Sequence, residues 1–158
     1  RLPVPVIVKE VGWGLSGRDA RLLRQAGVAA LDVAGAGGTS WSEVERHRST
    51  SPEAALVARA FAAWGNPTAE ALVEAREACP GLPIVASGGI SDGIEAAICL
   101  ALGADVVGIG LSILRAAMNS AEAVQRALQV IVSQLRVAMF CTGAHTLNDL
   151  DRSHLAKR

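Results

Sequence analysis

Three glycine-bearing stretches and one lysine carry most of the chemistry that this 158-residue sequence offers. "DVAGAGGTSW" (Asp32 to Trp41) sets Gly35, Gly37 and Gly38 after an apolar run, then adds two hydroxyls and an aromatic ring. "SGGISDG" (Ser87 to Gly93) and "GIGLS" (Gly108 to Ser112) repeat the theme further on. Glycines let backbone N–H groups come close to an anion, and a helix that starts there adds the positive end of its dipole. Each turn alone reads as an ordinary strand-to-helix connection. The pair on neighbouring strands reads as a phosphate clamp that needs no lysine. Lys9, with Glu10 beside it, closes the apolar run Val4–Val8 and is followed by Gly12 and Gly14. That position turns the ammonium toward negative charge on a ligand, in preference to a surface ion pair. The Thr39 and Ser40 hydroxyls could donate to a ring carbonyl or a phosphate, or bond to nearby backbone.

Other candidates have plainer readings. Trp41, like Trp13 and Trp64, reads as a cap on the core. His47, His145 and His154 sit in polar contexts with no partner at ligand or triad spacing, and are taken as solvated. Glu43 and Arg46, one helical turn apart, read as an ion pair. Cys79, Cys99 and Cys141 show no CxxC or Cys/His spacing, so they read as small, mostly buried apolar residues of a reducing cytoplasm and not as zinc ligands.

The elements that must place these residues alternate. Strands are expected at Val4–Val8, in "VAALDVAG", in "LPIVASGG" and in "ADVVGIG". Helices follow at Gly17–Gln25 (capped by Ser16), in "EAALVARAFAAWG" after Pro52, in "TAEALVEAREAC" after Pro67, in "DGIEAAICLALG", near Ser112–Ala117, and from Ala121 to Phe140. Ser42–Thr50 is charged and reads as a loop, and residues 142–158 read as a polar tail. Four β–α repeats mean a parallel sheet covered by helices. "GWGLSG" fits dinucleotide-fold spacing, but Asp32 reads as lying inside its strand, where it cannot serve as the acidic partner that fold requires. Glycine turns recur after successive strands, and a β/α barrel binds ligands at those ends. The fold class is therefore α/β, a (β/α)8 TIM barrel of which about four C-terminal units are present.

Bulk properties narrow the function. Hydrophobic residues make up 51% and charged residues 19%, the balance of a globular chain. Fifteen basic side chains match fifteen acidic ones, which gives no electrostatic case for nucleic acid or an anionic membrane. No apolar run reaches membrane-spanning length. The opening on Arg1, with strand-like sequence at once, suggests part of a longer polypeptide.

"VIVKEVGWGLS", "DVAGAGGTSW", "WGNPTAEAL" and "SGGISDGIEAAICLALGADVVGIG" together resemble the C-terminal half of type 2 isopentenyl-diphosphate isomerase, from Val4 to about Arg152. The resemblance implies an FMN-dependent barrel that interconverts isopentenyl and dimethylallyl diphosphate, with reduced FMN, Mg²⁺ and NADPH, in the cytoplasm. It implies that Lys9 faces the flavin ring, that Thr39 contacts the cofactor, and that Gly89, Ile90, Ser91, Gly110 and Leu111 line its phosphate. Two positions depart from the pattern. Ala34 stands where relatives often carry a serine that contacts FMN, and Ser91 where many carry arginine; each change costs about 1–2 kcal/mol of binding. No catalytic residue and no metal ligand is expected in this half, because the metal-binding glutamate and the diphosphate contacts belong to the N-terminal strands. The implied partners are a diphosphate substrate and either the missing half or a second copy. Two alternatives stand beside this reading: a non-catalytic flavin- or phosphate-binding half-barrel that pairs with itself, and another FMN-dependent barrel oxidoreductase. A hydroxyacid oxidase would need an active-site histidine and arginine in the second and third units, and neither is evident.

Overall fold

The computed structural model describes residues 3–156. Four parallel strands, β1 (Ile7–Lys9), β2 (Ala30–Asp32), β3 (Ile84–Ser87) and β4 (Val106–Gly108), lie in the spatial order in which they occur along the chain. The register pairs Lys9 with Asp32, Leu31 with Ile84, and Ser87 with Gly108, so the strand C-termini come out level at one end. The helices are α1 (Gly17–Gln25), α2 (Trp41–Arg48), α3 (Pro52–Ala60), α4 (Thr68–Ala78), α5 (Gly93–Ala101), α6 (Leu111–Ala117) and α7 (Ala121–Thr142). Crossovers between strands in sequential order pack α1, α4 and α5 against the same side of the sheet. A doubly wound sheet would reverse its strand order partway; this one does not.

Alternation along the strands separates two faces. Val8, Leu31, Val33, Ile84, Ala86 and Val107 point to the helices and build the main core with Leu72, Ala75 and Cys79. Ile7, Lys9, Asp32, Val85, Ser87 and Val106 share the opposite face by register. Small residues let the helices sit close: a Cβ on Gly93, at the start of α5, would run into the α7 backbone at Ile131 and Leu135. At the N-terminal end of the sheet, Arg76 of α4 donates to the carbonyls of Gly103 (2.8 Å) and Leu82 (2.9 Å) and pairs with Asp105. Asp105 in turn accepts from the Ile84 N–H at 2.8 Å.

Four expectations change. Ser42–Thr50 is not a loop: Ser40 caps α2 there by accepting from the Glu43 N–H, and the Glu43–Arg46 pair stabilises it along its side. The first strand is Ile7–Lys9 and not Val4–Val8, because Pro3 and Pro5 lack the N–H groups that would extend the ladder. The tail read as polar also carries core residues. Ala144 and Leu150 are buried with Ala97 and Ala101 of α5, and short 3-10 turns at Leu147–Asp149 and Arg152–His154 hold them there. Cys141 is exposed, whereas Cys79 and Cys99 are buried; burial, with Glu95 nearby, pushes the Cys99 thiol up to about 11.

Candidate functional site

The level strand ends open into a cleft of about 540 Å³, within the usual range for small-molecule sites of about 300–1,000 Å³. All eight residues singled out for a cofactor line it: Lys9, Ala34, Thr39, Gly89, Ile90, Ser91, Gly110 and Leu111. Among its described lining residues Lys9 is the only cation, and no histidine or arginine is present.

The loop after β1 turns on Glu10. Its Oε2 accepts from the N–H groups of Val11, Gly12, Trp13 and Gly14 at 2.6–3.2 Å. Partial burial pushes this carboxyl upward, but the bonds from Trp13, Gly12, Val11 and Gly14 outweigh that and hold it below its ordinary value. Glu10 is therefore committed to the loop, leaving Lys9 at the cleft. The Lys9 Nζ donates to the Glu10 carbonyl at 2.8 Å and lies 3.9 Å from the Asp32 carboxylate.

The loop after β2 begins with an unusual backbone. Ala34 is the one non-glycine residue with positive φ (36°) among the described residues. Its N–H donates to Asp32 Oδ1 at 3.1 Å, and the Ser87 hydroxyl donates to the same oxygen at 2.6 Å. Asp32 closes β2 and does not lie inside the strand as expected, so its placement cannot exclude a dinucleotide fold. The sequential strand order does that, and the carboxylate is already engaged by Ser87 and Ala34.

Glycines join the second and third loops backbone to backbone. A Cβ on Gly88 would overlap Gly35, and one on Gly89 would overlap Gly37. Thr68, at the start of α4, locks the junction by donating to the Gly88 carbonyl at 2.6 Å. Gly110 differs: the space where its Cβ would stand is open, and no side chain caps α6 there. A phosphate-bearing group fits this combination of open glycine and exposed N–H groups.

The hydroxyls divide. Ser40 is spent locally, capping α2 and donating to the Ala62 carbonyl at 3.2 Å. Thr39 has no side-chain hydrogen bond among the described residues and stays available to a ligand. Ser91 is engaged by Glu95, which accepts from its N–H at 2.7 Å and its hydroxyl at 2.9 Å. Trp41 is no core cap: it is 49% exposed, walls the cleft, and donates from Nε1 to the Val11 carbonyl at 2.7 Å. Trp64 is likewise exposed, stacked edge-on against Phe61. His47 lies near Glu43 and His154 near Asp151, both away from the cleft.

Asp32, Ser87 and Thr68 were not singled out from sequence. An acidic residue within "ALDVAG" was a usable signal, since a carboxylate in an apolar run needs partners.

The chain is 55% identical to an isopentenyl-diphosphate delta-isomerase of Stutzerimonas stutzeri over 155 residues, which is 98% of this chain and 45% of that protein. It is 56% identical to the Xanthobacter autotrophicus protein of the same name over 155 residues, covering the same shares. The Nostoc counterpart is 45% identical over 158 residues. The chain thus spans about half the length of the curated relatives it matches. Among solved structures, a (S)-mandelate dehydrogenase chimera superposes with a TM-score of 0.74 at 20% identity, over 99% of this chain and 38% of that one. A lactate oxidase from Pediococcus acidilactici gives 0.70 at 25% identity, over 93% and 35%. The four-strand sheet is therefore half of a β/α barrel. With the FMN-dependent dehydrogenase pattern matched along residues 1–157, and with a glycine-lined cleft at the strand ends, the chain belongs to the FMN-dependent dehydrogenase family.

Proposed function

We propose that these residues form the FMN-binding half of an enzyme that interconverts isopentenyl and dimethylallyl diphosphate. The observation that carries the reading is the identity of 45–56% to proteins of that name along essentially the whole chain. Identity to the barrel dehydrogenases and oxidases of like fold is only 20–25%.

Bound reduced FMN supplies acid–base chemistry at its ring. The chain's own residues do the rest. Lys9 presents its ammonium to the ring, and Thr39 offers an unspent hydroxyl. Gly89, Ile90, Gly110 and Leu111 offer backbone N–H groups to the phosphate. Trp41 closes one wall and keeps water from it. Mg²⁺, NADPH and the substrate diphosphate enter this proposal through the resemblance, with their ligands on the other half of the barrel. A cytoplasmic setting goes with it, as does either that other half or a second copy as partner. An oxidoreductase of the hydroxyacid class is disfavoured, since the described cleft residues include no histidine or arginine for its substrate.

The test is a chimera in which residues 4–152 replace the matching segment of the Stutzerimonas relative. The expected result is bound flavin and isomerisation under reducing conditions with Mg²⁺. A folded, flavin-loaded chimera without turnover would overturn the isomerase reading, and a folded chimera that takes up no FMN would overturn the cofactor assignment.

A further inference from the structure

Only one acidic side chain among the described residues is buried, and it lies on the cleft: Asp32, 9% exposed. Its carboxylate joins three strand ends. From β2 it accepts the Ala34 N–H (3.1 Å), which supports the left-handed turn that starts the glycine loop. From β3 it accepts the Ser87 hydroxyl at 2.6 Å. From β1 the Lys9 ammonium faces its other oxygen at 3.9 Å. A core-building role does not explain this. The residue lies on the sheet face opposite the helices, where an apolar side chain would serve packing better and cost no desolvation.

We propose that Asp32 is the positioning residue of the flavin site, its carboxylate fixing Lys9, the Ala34 turn and Ser87 in one register and setting the charge that the ring meets beside Lys9. The inference rests on the FMN reading above. Each partner reports a different part of it. The Ala34 bond holds a conformation that an L-residue avoids, so its loss lets the glycine loop relax away from the cofactor. The Lys9 contact partly offsets the one cation among the described cleft residues, so the ring there is less electron-attracting than Lys9 alone would make it.

Asp32→Asn separates charge from geometry, because the amide oxygen still accepts from Ala34 and Ser87. Asp32→Ala removes both, and Ser87→Ala removes one bond only. The measurements are FMN affinity by fluorescence quenching, flavin midpoint potential, and hydrogen exchange at the Ala34 amide without FMN, all on the full chain. Asp32→Asn is expected to bind FMN within a few-fold of the parent but with a more positive midpoint potential. Asp32→Ala is expected to lose at least tenfold in affinity, with faster exchange at Ala34; Ser87→Ala should lie between. An unchanged potential in Asp32→Asn would overturn the charge-setting role. Parent-like affinity and exchange in Asp32→Ala would overturn the positioning role. Should Asp32→Ala fail to fold, Ser87→Ala with parent-like affinity and exchange overturns it instead. A parent chain that takes up no FMN rejects the cofactor reading itself, and Ala34 exchange then still reports whether Asp32 holds the turn.

Discussion

Ala34 combines two facts at one position: a buried methyl on the cleft and a backbone at φ 36°. A left-handed alanine costs on the order of 1 kcal/mol, which the Asp32 bond offsets. Ala34→Ser places a hydroxyl on the cleft wall. We expect it to tighten FMN binding by three- to tenfold, about 1 kcal/mol for one hydrogen bond, in a quenching titration. An unchanged or weaker dissociation constant would mean that no cofactor atom lies within reach. Glu10 makes a second prediction. Its carboxyl is depressed in the folded chain, so its stabilisation is present above the ordinary value of 4.5 and is lost as pH falls through the lower folded value. Glu10→Gln should therefore flatten the acid side of a melting-temperature profile below pH 4.5 while lowering stability at neutral pH. An acid limb as steep as the parent's would contradict that. At this scale the sequence was informative about the cleft because glycine turns recur at the ends of successive strands, where a β/α barrel opens its ligand site. Asp32 was harder to see. Its meaning depends on Ser87, 55 positions away, and no local pattern reports such a pairing.

The elements show the same division between local and distant causes. Helices α1, α5 and α7 were legible because capping residues, apolar spacing and nearby terminating glycines are all local, and α4, which has no side-chain cap, was legible from Pro67 and its apolar spacing. Helix α2 was missed because its eight residues are half charged, and a polar helix without a buried residue has no periodic signal. Strand limits were misread because a ladder ends where its partner ends. The crossing of α5 and α7 depends on one atom's absence. Gly93 has no Cβ, its N–H donates to Gln134 of α7 at 2.9 Å, and Ile131 and Leu135 backbone occupies the space beyond. Gly93→Ala should force α7 outward and cost about 1–3 kcal/mol, the usual range for overpacking a tight contact. Thermal unfolding should show a melting point several degrees lower, and the tail segment that buries Leu150 against the same helices should become more sensitive to protease. A parent-like melting point would mean that the helices already stand apart at this crossing.

At the scale of the whole molecule, the half-barrel leaves a surface that a complete barrel would cover. Strands β1 and β4 are edges, and the sheet face away from the helices exposes Ile7 (62%) and Val106 (55%). Parallel sheets are normally buried on both faces, and an unprotected edge invites pairing with another chain. No helix among the described residues is long and apolar enough to cross a membrane. The outer helix layer is also apolar in places, with Phe140 of α7 exposed at 85%. Two surfaces could thus drive association, and charge separates them. If the sheet face and its edges dominate, Ile7→Lys or Val106→Lys should shift the isolated 158-residue chain toward monomer in light scattering, while Phe140→Glu should leave its size distribution unchanged. The reverse result would place the association on the helices. Supplying the other half of a curated relative in trans adds a direct contest for the same face. Its binding should then be weakened at least tenfold by Val106→Lys, because a lysine on the sheet face that the other half closes over loses its hydration without gaining a partner.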